Sequence, residues 1–263
     1  MPLAHILTDV TKAELSVDKL HRAVRVKTVL EQLGFEPAIY DKSLIDSERA
    51  ANLETQINAA DGYYADFADQ FDKALTSRSK AGDVIIATEA WHEQCFKGLL
   101  AIDSGRYKDI PVIELWINHL RSFARYRVFS TRFTMYATAG LVRQTDMHTD
   151  WVQARPYYKA EETKDVSVYS LHGVKNNPAA LDHMEASVRG IPVIASDWGA
   201  AAETVEHGVT GYLYRTAVGY DKASANAVKL PSATIVEWIN ANYSLEQSVK
   251  QLEGYFARAM KRG

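Results

Sequence analysis

Residues 183–214, "HMEASVRGIPVIASDWGAAAETVEHGVTGYLY", join an acidic helical stretch, an apolar strand, a small-residue turn and a second acidic stretch. A parallel-sheet protein binds ligands outside the carboxyl ends of its strands. The loop after "VSVYSL" (166–171) and the turn after "IPVIAS" (191–196) are therefore expected to face one crevice. The loop "HGVKNNPA" (172–179) offers Gly173 for close backbone approach and Lys175 for a phosphate, and Asn176 and Asn177 precede a helix start whose free N–H groups favour an anion. The turn "SDWGAAAE" brings Asp197 and Gly199 and again opens a helix, so two anion-friendly helix starts lie side by side and suit a diphosphate. Glu185, about two turns into the intervening helix, can accept two hydrogen bonds from the vicinal hydroxyls of a ribose. The plainer reading of Glu185 is a surface or capping glutamate.

Two further clusters carry chemistry. In "DMHTD", Asp146, His148 and Asp150 alternate, so on an extended segment they share a face and can hold a divalent metal, as in a metal-dependent phosphoesterase. A solvated loop is the plainer reading, because no second acidic or histidine cluster supplies the remaining ligands. Between Glu114 and Asp146 the chain has no acidic residue but carries Arg121, Arg125, Arg127, Arg132 and Arg143, interleaved with Phe123, Tyr126, Phe129, Phe133 and Tyr136. Such a segment can line an acceptor surface for a phosphorylated or polyanionic molecule, DNA included. Alternatively its aromatics are core and its arginines are solvated or paired. No G-x-G-x-x-G follows the first strand, and the chain has no P-loop, C-x-x-C, H-E-x-x-H or G-x-S-x-G motif. A dinucleotide oxidoreductase or a P-loop enzyme is thereby disfavoured.

The elements that must position these residues alternate between short apolar runs and amphipathic stretches, which predicts an α/β fold with parallel sheets. Strands are expected at 4–8, 35–40, 83–88, 110–116, 126–130, 166–171 and 191–196. Helices are expected at 17–34 (stopping at Gly34), 89–102, from Thr131 to about Ala139 (ending at Gly140), at 179–190, and as a pair between Ser232 and Arg262. Within the polar, helical stretch from Ser43 to Lys80, Tyr63, Tyr64, Phe67 and Phe71 form one face, read as core. The pattern loosens over 141–165, which places a domain boundary near 145 and divides the chain into units 1–145 and 146–263. A net charge of -3 gives no whole-protein attraction to nucleic acid or anionic membrane. The single cysteine, Cys95, allows no internal disulfide and suggests a reducing compartment, so a cytoplasmic address is expected. No apolar window reaches the ~18 residues of a membrane span, so integral membrane association is not expected.

The run "NPAALDHMEASVRGIPVIASDWGAAAETVEHGVTGYLY" (177–214) resembles the donor-binding half of GT-B retaining glycosyltransferases related to glycogen, sucrose and mannosyl transferases. The family pattern is E-x7-E, a small residue and Gly, a "PV(I/V)AS" strand, D-x-G-G-x-x-E and a G-x-T-G turn. Glu185 matches the second glutamate of E-x7-E, Gly190 the helix-ending glycine, "PVIASD" the strand and loop, and Gly199 and Glu203 the G-G-x-x-E run. Gly208 and Gly211 match the closing turn. The resemblance implies two Rossmann-like parallel-sheet domains with a cleft between them, the second reduced here. It also implies a nucleotide diphosphate sugar, such as a UDP-sugar, as donor, no cofactor or metal, and transfer with retention to a small-molecule, glycan or DNA hydroxyl. Under it, Glu185 binds the ribose, and the loops at 172–177 (Gly173, Lys175, Asn176, Asn177) and 197–200 (Asp197, Gly199) hold the diphosphate and sugar. Arg155 and Lys159 stand for the family's phosphate-neutralising Arg and Lys, one residue closer together than usual. Asn177 replaces the leading glutamate, and Ala200 replaces the second glycine of the G-G pair.

An acceptor-side base is expected from the first domain, with His92, His119 and Asp150 as candidates and Arg121, Arg125 and Arg132 on the acceptor surface. Asn177 and the short second domain also admit a catalytically silent nucleotide-binding protein of the same fold.

Overall fold

In the computed structural model, residues 1–8, 21–40, 73, 80–88, 110–117, 124, 126–141, 150–162, 168–170 and 182–262 are described. Six strands form the first sheet: β1 (Leu3–Leu7), β2 (Glu36–Tyr40), β3 (Val84–Ala87), β4 (Val112–Ile117), β5 (Tyr126–Phe129) and β6 (Asp150–Gln153), in the order β2-β1-β3-β4-β5-β6. Every pairing in it is parallel. The continuous apolar run "VIIA" of β3 is buried at every position, as expected of a central strand covered on both faces. Helix α1 (Arg22–Gln32) buries Ala23, Val26, Val29 and Leu30 as one stripe. It closes where Phe35 N–H returns to the Leu30 carbonyl at 3.0 Å, with Gly34 at φ 86° supplying the left-handed turn.

The second sheet has three parallel strands in sequence order: β7 (Tyr169–Ser170), β8 (Val193–Ser196) and β9 (Gly211–Tyr214). Between β5 and β6 lies α2 (Arg132–Leu141), and between β7 and β8 lies α3 (Asp182–Val188). The single turn α4 (Ala201–Thr204) follows β8, and α5 (Ala217–Ala227), α6 (Ser232–Asn242) and α7 (Leu245–Arg262) complete the chain. Among the described residues no helix is long and apolar enough to cross a membrane.

The α/β class and both parallel sheets agree with the sequence patterning, and four details differ. Residues 150–153, read as part of the second unit, form β6 of the first sheet, so that sheet extends beyond residue 145. "DWVQ" lacks an apolar run because β6 is an edge strand, half-buried throughout. "GYLY", read only as the end of a turn, is β9. The helix expected to end at Gly140 continues to Leu141, within the usual scatter of helix ends. The last helix, read as part of the second unit, returns to the first. Leu252, Tyr255, Phe256 and Ala259 of α7, spaced three and four apart, join the core of β1, β3, β4 and α1. The aromatic stripe at 63–71, Cys95 and the helix at 89–102 lie outside the described residues.

Two chain crossings join the units, and they are hydrogen-bonded to each other. Tyr158 N–H donates to the Tyr243 carbonyl at 2.9 Å, and the Asn240 side chain bonds both the N–H (2.9 Å) and the carbonyl (3.1 Å) of Ala160. One turn further along, Gln251 accepts from Arg155 N–H at 2.8 Å and Ser248 donates to the Arg155 carbonyl at 3.0 Å.

Gly211 sets how closely β9 can lie against β8, because a Cβ there would stand 2.1 Å from the Val193 carbonyl oxygen. Gly211→Ala is expected to lower stability by about 1–3 kcal/mol, the usual effect of overpacking a rigid neighbour. Urea unfolding that left the midpoint unchanged would show that the two strands have slack.

Candidate functional site

The carboxyl ends of β8 and β9 carry Asp197 and Arg215. Asp197 N–H donates to the Tyr214 carbonyl at 2.9 Å, and its carboxylate accepts from Arg215 Nε at 2.6 Å and Nη2 at 2.5 Å. Arg215 is exposed, so this pair presents a cation beside the turn rather than burying one. Arg215 escaped the sequence reading; its signal was an arginine directly after a strand, abreast of the Ser-Asp turn. Trp198 is 53% exposed, and Gly199 takes φ 67°, a left-handed conformation that suits glycine. The helix expected to open after this turn is only one turn long, so it has little macrodipole to offer an anion.

Glu185 is exposed on α3, whose neighbouring residues Met184, Ala186, Ser187 and Val188 are buried. His183, on the buried side, fixes α3 to α4 through its Nε2, 2.5 Å from Thr204 Oγ1. Thr204 Oγ1 itself donates to the Ala200 carbonyl at 2.8 Å, so Nε2 must carry the proton shared with Thr204. Burial pushes the His183 imidazole down to about 4, which keeps it neutral in this role.

Arg25 of α1 lies within electrostatic reach of Glu185 on α3. Its guanidinium donates to the Tyr157 carbonyl at 3.1 Å, lies 4.1 Å over the Tyr158 ring and is 5.8 Å from the Trp116 ring. Burial pulls Arg25 below its ordinary value; Tyr158 opposes that shift, Arg22 adds to it, and the Glu185 carboxylate opposes it. Glu185 and the first turns of α1 therefore sense each other electrostatically. Trp116, at the end of β4, adopts φ 55°, a strained conformation for a bulky residue, where the β4–β5 register shifts between Glu114 and Ile117.

A second contact across the cleft runs from the turn after β8 to α2. The Glu203 carboxylate accepts from Arg132 N–H at 2.8 Å and Phe133 N–H at 2.5 Å, while Trp198 meets the Phe133 ring edge-on with centroids 5.5 Å apart. Thr131, the residue before α2, accepts from Thr134 N–H at 3.2 Å. A carboxylate at a helix N-terminus is stabilising by about 1 kcal/mol.

Of the site residues read from sequence, Glu185 lies on α3, Asp197 and Gly199 lie in the turn after β8, and Arg132 opens α2. Arg155 lies at the crossing, its guanidinium 5.5 Å from the Tyr243 ring and 3.5 Å from Asn242 Oδ1. Lys159 is exposed and paired with Glu161 at 2.9 Å. Asp150 is not gathered with them. It opens β6 at the amino edge of the sheet, in register with Tyr126, and its carboxylate lies 3.7 Å from Arg258 Nε. Its position followed from reading the preceding segment as a crossing, whereas it begins an edge strand. His92, His119, Arg121, Arg125, Asp146, His148, Gly173, Lys175, Asn176 and Asn177 lie outside the described residues. Among the described residues no three His, Cys, Asp or Glu side chains cluster to hold a metal ion.

No protein-family model matches the sequence, and a search of characterised proteins finds no match. Solved structures do match. A lipopolysaccharide outer core galactosyltransferase, WaaB in its apo form, superposes with a TM-score of 0.52 at 12% identity, covering 98% of this chain and 100% of that one. AviGT4, a glycosyltransferase involved in avilamycin A biosynthesis, superposes with a TM-score of 0.53 at 11% identity, covering 100% of this chain and 99% of that one. The chain thus has the mixed α/β, parallel-sheet fold of GT-B glycosyltransferase structures.

His183 generates a pH prediction. Its imidazole titrates lower in the folded protein than in the unfolded chain, so its contribution is intact above pH ~6.5 and is lost as pH falls toward about 4. The loss amounts to roughly 3 kcal/mol over that window. The stability difference between wild type and His183→Gln should therefore shrink or reverse between those pH values. Parallel stability curves for the two proteins would contradict the assignment.

Proposed function

We propose that the protein is a glycosyltransferase that moves a sugar from a nucleotide diphosphate sugar to an acceptor hydroxyl, with retention. The observation that carries this reading is a GT-B-like fold in which Glu185 is exposed on α3 and the Asp197–Gly199 turn follows the carboxyl end of β8. A ribose diol donates two hydrogen bonds, and an exposed carboxylate on a buried helix is built to accept them. Gly199 leaves room for a sugar or phosphate to approach the backbone.

Departure of a nucleoside diphosphate concentrates negative charge on its phosphates, so catalysis depends on cations and N–H groups placed there beforehand. In this reading Lys175, Lys159 and Arg155 supply that charge, with Arg215 added from the structure. Arg215 reaches a diphosphate by exchanging its Asp197 partner for phosphate oxygens, which accept the same planar fork of donors. On the acceptor side, His92 and His119 remain the candidate bases, each following a strand in the sequence. Arg132 and its neighbours Phe133 and Tyr136 face the acceptor in this scheme. A UDP-sugar is the donor to test first.

A binding protein without transferase activity is the second reading, favoured by Asn177 in place of the leading glutamate. Turnover separates the two: the enzyme releases nucleoside diphosphate from its donor, and the binding protein does not.

The expected outcome of a thermal-shift panel of UDP-, GDP- and ADP-sugars is a raised melting temperature with one nucleotide class. Ligand at a hundredfold its dissociation constant adds about 2.7 kcal/mol. Glu185→Ala should remove the rise while leaving the ligand-free melting temperature close to wild type. A rise that survives the substitution would contradict the ribose assignment.

A further inference from the structure

We propose that Glu203 is a positioning residue that latches the donor turn of the second unit onto the N-terminus of α2 in the first. Two consecutive amides at the start of α2, those of Arg132 and Phe133, point into the two oxygens of one carboxylate from the other sheet unit. Thr131 already serves the third, through Thr134 N–H. The helix therefore supplies its own cap for one donor and leaves the other two to an acceptor some seventy residues later in the chain. The contact is not confined to one side chain, because Trp198 of the same turn packs edge-on against Phe133 of the same helical turn.

The latch has a defined anchor. Glu203 sits on α4, and α4 is held to α3 by the Thr204 hydroxyl and His183. A displacement of the Asp197–Gly199 turn must therefore move Glu203 and strain its bonds to α2. The carboxylate and Trp198 are both exposed, so water can replace either contact and the latch can open without unfolding either unit. Its consequence for ligand rests on the proposed donor site: with the latch closed, the turn is already ordered before the nucleotide arrives, which lowers the ordering cost of binding.

Interunit distance tests this in the ligand-free protein. Spin labels at Ala139→Cys on α2 and Val218→Cys on α5, both exposed positions, in a Cys95→Ser background, should give one narrow distance distribution. Glu203→Ala should about double its width or move it to longer distances, and Glu203→Gln, which keeps one acceptor, should fall between. Phe133→Ala should broaden it independently of the carboxylate. Melting temperatures of the variants should stay close to that of the labelled parent, which a residue needed only for folding would not allow. Superimposable distributions for the labelled parent and its Glu203→Ala variant would overturn the latch. UDP titrated into the same proteins should bind several-fold more weakly once the latch is cut. If UDP binds to none of them, the donor assignment fails while the distance measurement still decides the latch.

Discussion

A guanidinium partly withdrawn from water needs partners, and half-buried Arg25 finds two of them on the segment that leaves the first sheet unit for the second. The Tyr157 carbonyl takes one N–H and the Tyr158 ring lies under the charged plane. Tyr158 belongs at the same time to the core formed by α3 and α6, and its N–H is bonded to Tyr243 at the returning crossing. One half-buried cation on α1 thus ties the outgoing crossing to the first unit, and through Tyr158 it is linked to the returning one. Swinging the crossing away from α1 would cost Arg25 its contacts with the Tyr157 carbonyl and the Tyr158 ring.

That constraint arranges the rest. The crossings hold the units where Glu185 can act on Arg25 and where the turn after β8 meets α2. At the crossing Tyr158 and Tyr243 are buried and several partly buried hydrogen bonds surround them, whereas between α4 and α2 the contacts are exposed carboxylate, amide and aromatic edges. A firm pivot with a lighter contact at the opening is the arrangement a hinge requires. Arg155, placed at the crossing by Gln251, Ser248 and Asn242, lies where pivot and cleft meet.

Much of this was legible in the sequence because burial on both faces writes a direct pattern. The continuous apolar runs "VIIA" and "PVIAS" read as strands, and the 3.6-residue stripe of α1 identified that helix. The edge strand β6 was not legible: Asp-Trp-Val-Gln is half-buried and mixed, so nothing in it separates a strand from a crossing. The destination of α7 was equally hidden, since an apolar stripe says that a helix packs without saying against which unit. Around the proposed site, Glu185 and Gly199 were singled out from residue type and spacing, and the structure adds that Glu185 is exposed and Gly199 takes a left-handed φ. Glu203 stood out only by matching the family run, and its partners were hidden because they are two backbone amides that any sequence would have supplied. Arg215 and the Arg25 cluster depend on neighbours distant in the chain, and local patterning cannot encode them.

In the proposed function, a nucleotide diphosphate binds outside the carboxyl ends of β7 and β8 with its ribose on Glu185. The most direct test is a crystal structure of the protein soaked or grown with UDP. The account predicts density for the diphosphate beside the Asp197–Gly199 turn and ribose hydroxyls within hydrogen-bond distance of the Glu185 carboxylate. Nucleotide found elsewhere, or bound with its ribose turned away from Glu185, would contradict it.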